Sequence, residues 1–165
     1  MSHVESLISI LGLEPHIEGG FFKRTFQSDH RAKLNVDGQS RFQMTSIMYL
    51  LTTESPIGHW HKNESDILHY FHQGDPIEYS LIYPDGRLEQ IVMGADITAG
   101  HQLQLSVVGG VWKASRLLSD VHGFGLISET VSPGWDAEDM VLGTENLLVD
   151  LFPQHGEIIR AYVKS

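Results

Sequence analysis

The chain has 165 residues, 41% hydrophobic and 19% charged, the make-up of one globular domain over residues 1–165 with a single core. Its 21 acidic residues outweigh 11 basic ones, and a formal charge of −10 with no basic face argues against nucleic acid and anionic membranes as partners. Cysteine is absent, which excludes disulfides, thiolate metal sites and a cysteine nucleophile.

Residues Ser2–Gly12 read as a helix: Ser2 and Glu5 have capping-box spacing, Val4, Leu7, Ile8 and Leu11 form one apolar stripe, and Gly12 ends it. The start M-S-H-V-E-S-L has no basic n-region, so no signal peptide is expected and a cytoplasmic protein is. No apolar run approaches the ~20 residues of a membrane span. After the loop L-E-P-H-I-E-G-G (13–20), Phe21–Ser28 reads as a strand and Asp29–Ser40 as a loop or hairpin around N-V-D-G. Phe42–Thr52 is the most apolar stretch and reads as a core strand. Ile57–His61 and Ile67–His72 follow as strands, joined by the polar connection 62–66. Ile77–Tyr83 and Arg87–Met93 flank the turn P-D-G, and Leu103–Val108, Val111–Leu117 and Phe124–Thr130 complete the series. Short strands at this spacing predict an all-β sandwich or barrel. Near the C-terminus Thr144 is placed to cap a short helix that turns Leu147, Leu148 and Leu151 inward, and a second short element holds Ile158 and Ile159.

The chemistry concentrates in I-G-H-W-H-K-N-E-S-D-I-L-H-Y-F-H-Q-G (57–74), which holds four of the ten histidines. Strand alternation puts His59 and His61 on one face. Two imidazoles together are raw material for a metal site or an acid–base pair. In the second strand Ile67, His69 and Phe71 share one face and Leu68, Tyr70 and His72 the other, with His72 expected toward solvent. An anionic small ligand stays open if cations such as Lys23, Arg24, Arg41 or Lys113 converge on one pocket, although Arg24 and Lys113 are by default solvated.

The chain resembles the cupin superfamily, and more closely its DUF985, or Cupin_5, branch. The matching pieces are P-H-I-E-G-G-F-F (15–22) with Ser28, I-M-Y-L-L (47–51), H-K-N-E-S-D (61–66), Y-F-H-Q-G-D-P (70–76), G-G-V-W-K-A (109–114) and T-V-S-P-G-W-D (130–136). The resemblance implies a double-stranded β-helix, a jelly-roll barrel with a short N-terminal helix and short C-terminal helical segments. It further implies an internal ligand pocket and commonly a homodimer. Metal-binding cupins use two histidines, a glutamate and a later histidine. Here His59 and His61 match the pair, but Ile67 stands at the glutamate position and His69 at a usual tryptophan. Trp112 and Lys113 stand where the later histidine is sought. If the glutamate position faces inward, so does His69, and His59, His61 and His69 then rebuild a site for a divalent transition metal.

Three functions stay open. The first is a pocket for a small polar or sugar-like metabolite, with metal-independent isomerase or epimerase chemistry. In it His61 or His69 is the base and Tyr49 or Tyr70 the acid, and His16, Glu18, Asp66, Phe71 and Trp112 line the pocket. The second is a metal-dependent oxygenase or isomerase on His59, His61 and His69. The third is a non-catalytic ligand sensor.

Overall fold

The computed structural model describes residues 2–165. Helix α1 (His3–Leu11) forms as its caps predict: the Ser2 hydroxyl accepts from the Glu5 N–H, the Glu5 carboxylate accepts from the Ser2 N–H, and Gly12 closes the helix at φ 63°. The strands are β1 (Glu14–Pro15), β2 (Phe21–Gln27), β3 (Leu34–Val36), β4 (Gln39–Arg41), β5 (Thr45–Thr52), β6 (Ile57–Asn63) and β7 (Asp66–Gly74). They continue as β8 (Ile77–Ile82), β9 (Leu88–Met93), β10 (Gln104–Val107), β11 (Trp112–Leu117), β12 (Phe124–Ser132) and β13 (Met140–Leu142), followed by helices α2 (Glu145–Leu151) and α3 (Gly156–Tyr162).

Two antiparallel sheets face each other in a jelly-roll sandwich. One runs β1-β2-β5-β12-β7-β10 and the other β13-β6-β11-β8-β9, while β3 and β4 make a separate hairpin. The predicted strands all occur, with shifted ends. The two-residue β1 and the edge strand β13 were not expected, and both are too short to leave a periodic signal. No helix is long and apolar enough to cross a membrane.

Apolar burial separates into three layers. Between the sheets lie Tyr49, Leu51, Phe71, Ile77, Tyr79, Leu81, Met93 and Ile127. The outer face of the five-stranded sheet carries Trp60, Ile82, Trp112 and Ala114 under Leu148, Phe152, Ile159 and Tyr162 of the C-terminal helices. The outer face of the six-stranded sheet carries Leu50, Phe124 and Leu126 under the apolar stripe of α1. One expectation is corrected here. Of the leucines on α2 only Leu148 is buried, whereas Leu147 and Leu151 are 39% and 53% exposed. A two-turn helix lying on a sheet offers one narrow stripe, too narrow for all three.

Strand register then places the polar residues. Across the six-stranded sheet one row of partners reads Arg24, Ile47, Glu129, His69, Leu105. Across the other sheet a row reads Leu142, His61, Lys113, Leu81, Glu89. Directly opposed residues share a face. One row therefore brings Glu129 and His69 to the interior, and the other brings His61 and Lys113. The shift in register between β12 and β7 falls at Leu126/Ile127, beyond Glu129 and His69, so the alternation that turns His69 inward survives it.

Candidate functional site

The two rows meet across the sandwich. The Lys113 ammonium lies 2.7 Å from His69 Nε2 and 3.5 Å from Glu129 Oε1, and His69 Nε2 is 3.3 Å from the same carboxylate oxygen. His69 Nδ1 lies 3.2 Å from the Leu105 carbonyl, which can only accept, so Nδ1 carries the ring proton. Nε2 is then left to accept from Lys113. Lys113 is 3% exposed and His69 fully buried. Burial alone would push the Glu129 carboxyl up, but the Lys113 ammonium beside it holds Glu129 well below the usual carboxylate range. Burial, reinforced by Lys113, lowers His69 and keeps it neutral.

Glu18 arrives from the loop between β1 and β2, which is laid against β6. The His59 N–H donates to the Glu18 carbonyl at 2.6 Å, the Tyr49 hydroxyl donates to the Gly19 carbonyl at 2.8 Å, and the Gly20 N–H donates to Ser55 Oγ at 2.9 Å. Gly19 sits at φ 93°, where any Cβ would also strike the Ile57 carbonyl, so this close approach requires glycine. The anchoring sets Glu18 Oε2 3.2 Å from His61 Nε2 and 3.6 Å from His16 Nδ1. Burial pushes the Glu18 carboxyl up to about 8, and burial together with Lys113 lowers His61 to about 3. At neutral pH the contact is thus a hydrogen bond between neutral partners, not an ion pair. His61 Nδ1 donates to the His59 carbonyl at 2.7 Å, so Nε2 bears the lone pair and Glu18 donates to it.

Above this pair a narrow pocket that opens to solvent is walled by Phe22, Ile47, Val131 and Trp135. Its polar lining is His16, Glu18, Arg24, His61, Asn63 and Glu129. Asn63 is 7% exposed, and its Oδ1 has no hydrogen-bond partner in the protein. A buried carbonyl without a donor costs free energy unless something else supplies one.

His61, His16 and Glu18 are therefore brought together at the pocket wall, while His69 lies behind it against Lys113 and Glu129 and does not line the pocket. Other expected site residues go elsewhere. Trp112 packs in the helix-covered layer on the outer face of its strand. Asp66 is exposed, and its carboxylate ties down the turn by accepting from the Gly109 N–H at 2.8 Å. Phe71 belongs to the apolar interior. The Tyr49 hydroxyl is spent on the Gly19 carbonyl, and burial pushes its phenol well above the usual range, so it positions the Glu18 loop instead of serving as an acid. His59 is turned aside, with Nδ1 3.2 Å from the Tyr162 carbonyl. His72 is exposed as expected and contacts Ser128 Oγ at 2.7 Å.

The expected three-histidine metal site does not fit these positions. Among the described residues no three His, Cys, Asp or Glu side chains are grouped to hold a metal ion. The free nitrogen of His61 faces Glu18, and that of His69 faces an ammonium, which would repel a divalent cation. Arg41 does not reach the pocket, being paired with Asp139 at 2.7 Å. Lys113, expected in solvent, is the buried cation at the centre.

Sequence reasoning missed Glu129 and Asn63. Glu129 alternates with Ile127 and Val131, both buried, so an acid on an apolar face was the signal. Asn63 continues the alternation of His59 and His61, but in the sequence it falls within what reads as the polar connection.

The fold and site define a jelly-roll β-sandwich with a buried acid–base pocket. The chain belongs to the Cupin_5 family, described as cupin superfamily (DUF985), whose model matches residues 5–143. It is 41% identical over 150 residues to the uncharacterised Saccharomyces cerevisiae protein YML079W, covering 84% of this chain and 74% of that one. A hypothetical protein from Leishmania major superposes with a TM-score of 0.91 at 32% identity, covering 99% of this chain and 100% of that one. Oxalate decarboxylase from Bacillus subtilis matches 90% of this chain and 36% of its own length, with a TM-score of 0.55. At 12% identity that likeness concerns the fold alone.

Proposed function

We propose that the pocket binds a small polar, sugar-like metabolite bearing a carbonyl group and isomerises or epimerises it by metal-independent proton transfer. The observation that carries this reading is the buried Glu18–His61 contact of 3.2 Å at the pocket wall. The pair shares one exchangeable proton and holds no net charge, which suits a bifunctional step. A carbonyl oxygen entering between the two takes the proton of Glu18, and His61 Nε2 takes a proton from the carbon next to that carbonyl. The carbon–hydrogen bond breaks, a carbon–carbon double bond forms, and the enol is left beside a Glu18 carboxylate and a His61 imidazolium. Return of the proton from His61 to the neighbouring carbon, or to the other face of an enol that has turned over in the pocket, restores the pair as Glu18 takes back a hydroxyl proton and a carbonyl re-forms, with no oxidation or reduction. Once Glu18 has given up its proton, its carboxylate favours imidazolium on His61, which offsets the low basicity of the resting ring. His69 is ill placed as the base, because its only lone pair faces Lys113.

The test is solvent exchange. Aldoses, ketoses and sugar acids are incubated with the protein in deuterium oxide, and loss of the proton next to the carbonyl is followed by NMR. Exchange that survives a chelator and falls at least ~100-fold in His61→Gln and in Glu18→Gln supports the reading. Exchange insensitive to both variants, or lost with the chelator, overturns it. Binding without exchange would move the protein to the sensor class. The homodimer implied by the family resemblance is read by light scattering on the same preparation.

A further inference from the structure

We infer that the ligand is a monocarboxylate, a sugar acid or similar hydroxy acid, held with its carboxylate on Arg24 at the pocket mouth and a hydroxyl on Asn63 within. The inference rests on the proposed reading of this pocket and adds the substrate class. Arg41, Arg87, Arg116 and Arg160 each pair with a carboxylate. Arg24 is half-buried on the pocket wall and, among the described residues, pairs with none. It donates only to neutral acceptors, the Trp135 carbonyl at 3.2 Å and Gln27 Oε1 at 3.5 Å, while its guanidinium lies 5.6 Å from the centre of the Trp135 ring. In a chain with 21 acidic residues, a half-buried guanidinium left to neutral partners at a pocket mouth is a cation held for an incoming anion.

The interior decides which anion and which way round. Deeper in the pocket the one cation, Lys113, is already matched by Glu129, so no counter-charge is left there for a second anion, and the ligand's charge stays at the mouth. One guanidinium matches one carboxylate in charge and in its two-pronged geometry, and a phosphate dianion would leave a negative charge uncompensated beside Glu129. Asn63 Oδ1, buried and without a donor, asks for a ligand O–H at the other end.

The test measures binding of D-glucuronate, D-galacturonate, D-glucose and D-glucose 6-phosphate to the full chain by calorimetry. Wild type, Arg24→Gln, Arg24→Lys and Asn63→Leu are compared, with circular dichroism to confirm that each is folded. A uronate should bind at least ten times more tightly than glucose. Arg24→Gln should lose that preference while leaving glucose unchanged, Arg24→Lys should keep part of it, and Asn63→Leu should weaken the uronate with Arg24 intact. Equal binding of glucose and uronate, insensitivity to Arg24→Gln, or no binding of any probe overturns the inference. Tighter binding of the phosphate ester overturns it in favour of a dianion. Failure here with His61-dependent solvent exchange intact would leave the proton-transfer reading standing, whereas uronate binding without exchange would remove that reading and keep the ligand class.

Discussion

Replacing Lys113 by Met keeps most of the side-chain volume and removes the ammonium at the centre of the sandwich. Glu129 then keeps a buried carboxylate that has lost its counter-charge at 3.5 Å, and His69 loses the donor at 2.7 Å. At that separation and an effective dielectric of about 20, the lost attraction is about 5 kcal/mol. Measured losses on breaking a buried pair by removing one partner are about 3–5 kcal/mol. For a chain of 165 residues this lowers the melting temperature by on the order of 10 °C. The pH dependence identifies the cause. In the wild type Glu129 is held below its unfolded value, so its contribution is present above about pH 4.5 and is lost as pH falls further. In Lys113→Met burial acts alone and lifts Glu129 above that value, so the carboxylate destabilises the variant at neutral pH and ceases to do so once protonated. Urea denaturation should therefore show a wide gap between the two proteins at about pH 7 that narrows toward about pH 4. Adding Glu129→Gln should recover most of the loss. A deficit under about 1 kcal/mol, or one of equal size at both pH values, would refute the assignment of the central charge balance to this pair.

Glu18, raised from about 4.5 to about 8, lowers stability as pH rises between those values, and Glu18→Gln should remove that slope, gaining on the wild type by on the order of a few kcal/mol near pH 8 in the same denaturation assay. His61, lowered to about 3, costs stability as pH falls below about 6.5, because the unfolded chain binds the proton first; the wild type should thus be most stable in mildly acidic solution, and His61→Gln should lose less on acidification. Leu148→Ala should cost about 2–5 kcal/mol, since the residue is fully buried, while Leu147→Ala on the same helix should cost under about 1 kcal/mol. Elemental analysis of protein purified without added metal should find well under one equivalent of any transition metal, and a stoichiometric metal lost in His69→Ala would contradict the site geometry.

The fold was legible because its signals are local. The α1 caps, the turn dipeptides, the apolar run of β5 and the alternation along β6 and β7 each depend on neighbours in sequence. The same alternation turned His69 inward, an inference needing only the parity of one strand. What stayed hidden depends on register between strands distant in sequence. That His61 faces Lys113 and His69 faces Glu129 is set by pairings of β6 with β11 and β7 with β12, about which a single strand's pattern is silent. Trp112 and Lys113 show the cost of that silence. They are adjacent and lie on opposite faces, and without the register the aromatic reads as pocket lining and the cation as solvated. Glu18 was legible only as part of a motif, since its burial follows from the docking of its loop onto β6 and from no feature of the loop itself.

Strand β12 has a consequence for how the protein comes into being. It lies between β5 and β7, which are not bonded to each other, so until residues 124–132 are in place the six-stranded sheet is two separate pieces. The same strand delivers Glu129, the carboxylate that neutralises Lys113 in the interior. During synthesis the chain through β11 therefore exposes two unpaired strand edges and holds a cation that cannot be buried. Sheet closure and neutralisation of the pocket are one event, and it waits for a strand made near the end. A chain halted before β12 lacks Glu129 and the pocket wall at Val131 and Trp135, and its open edges make it a partner for other chains instead of a monomeric intermediate.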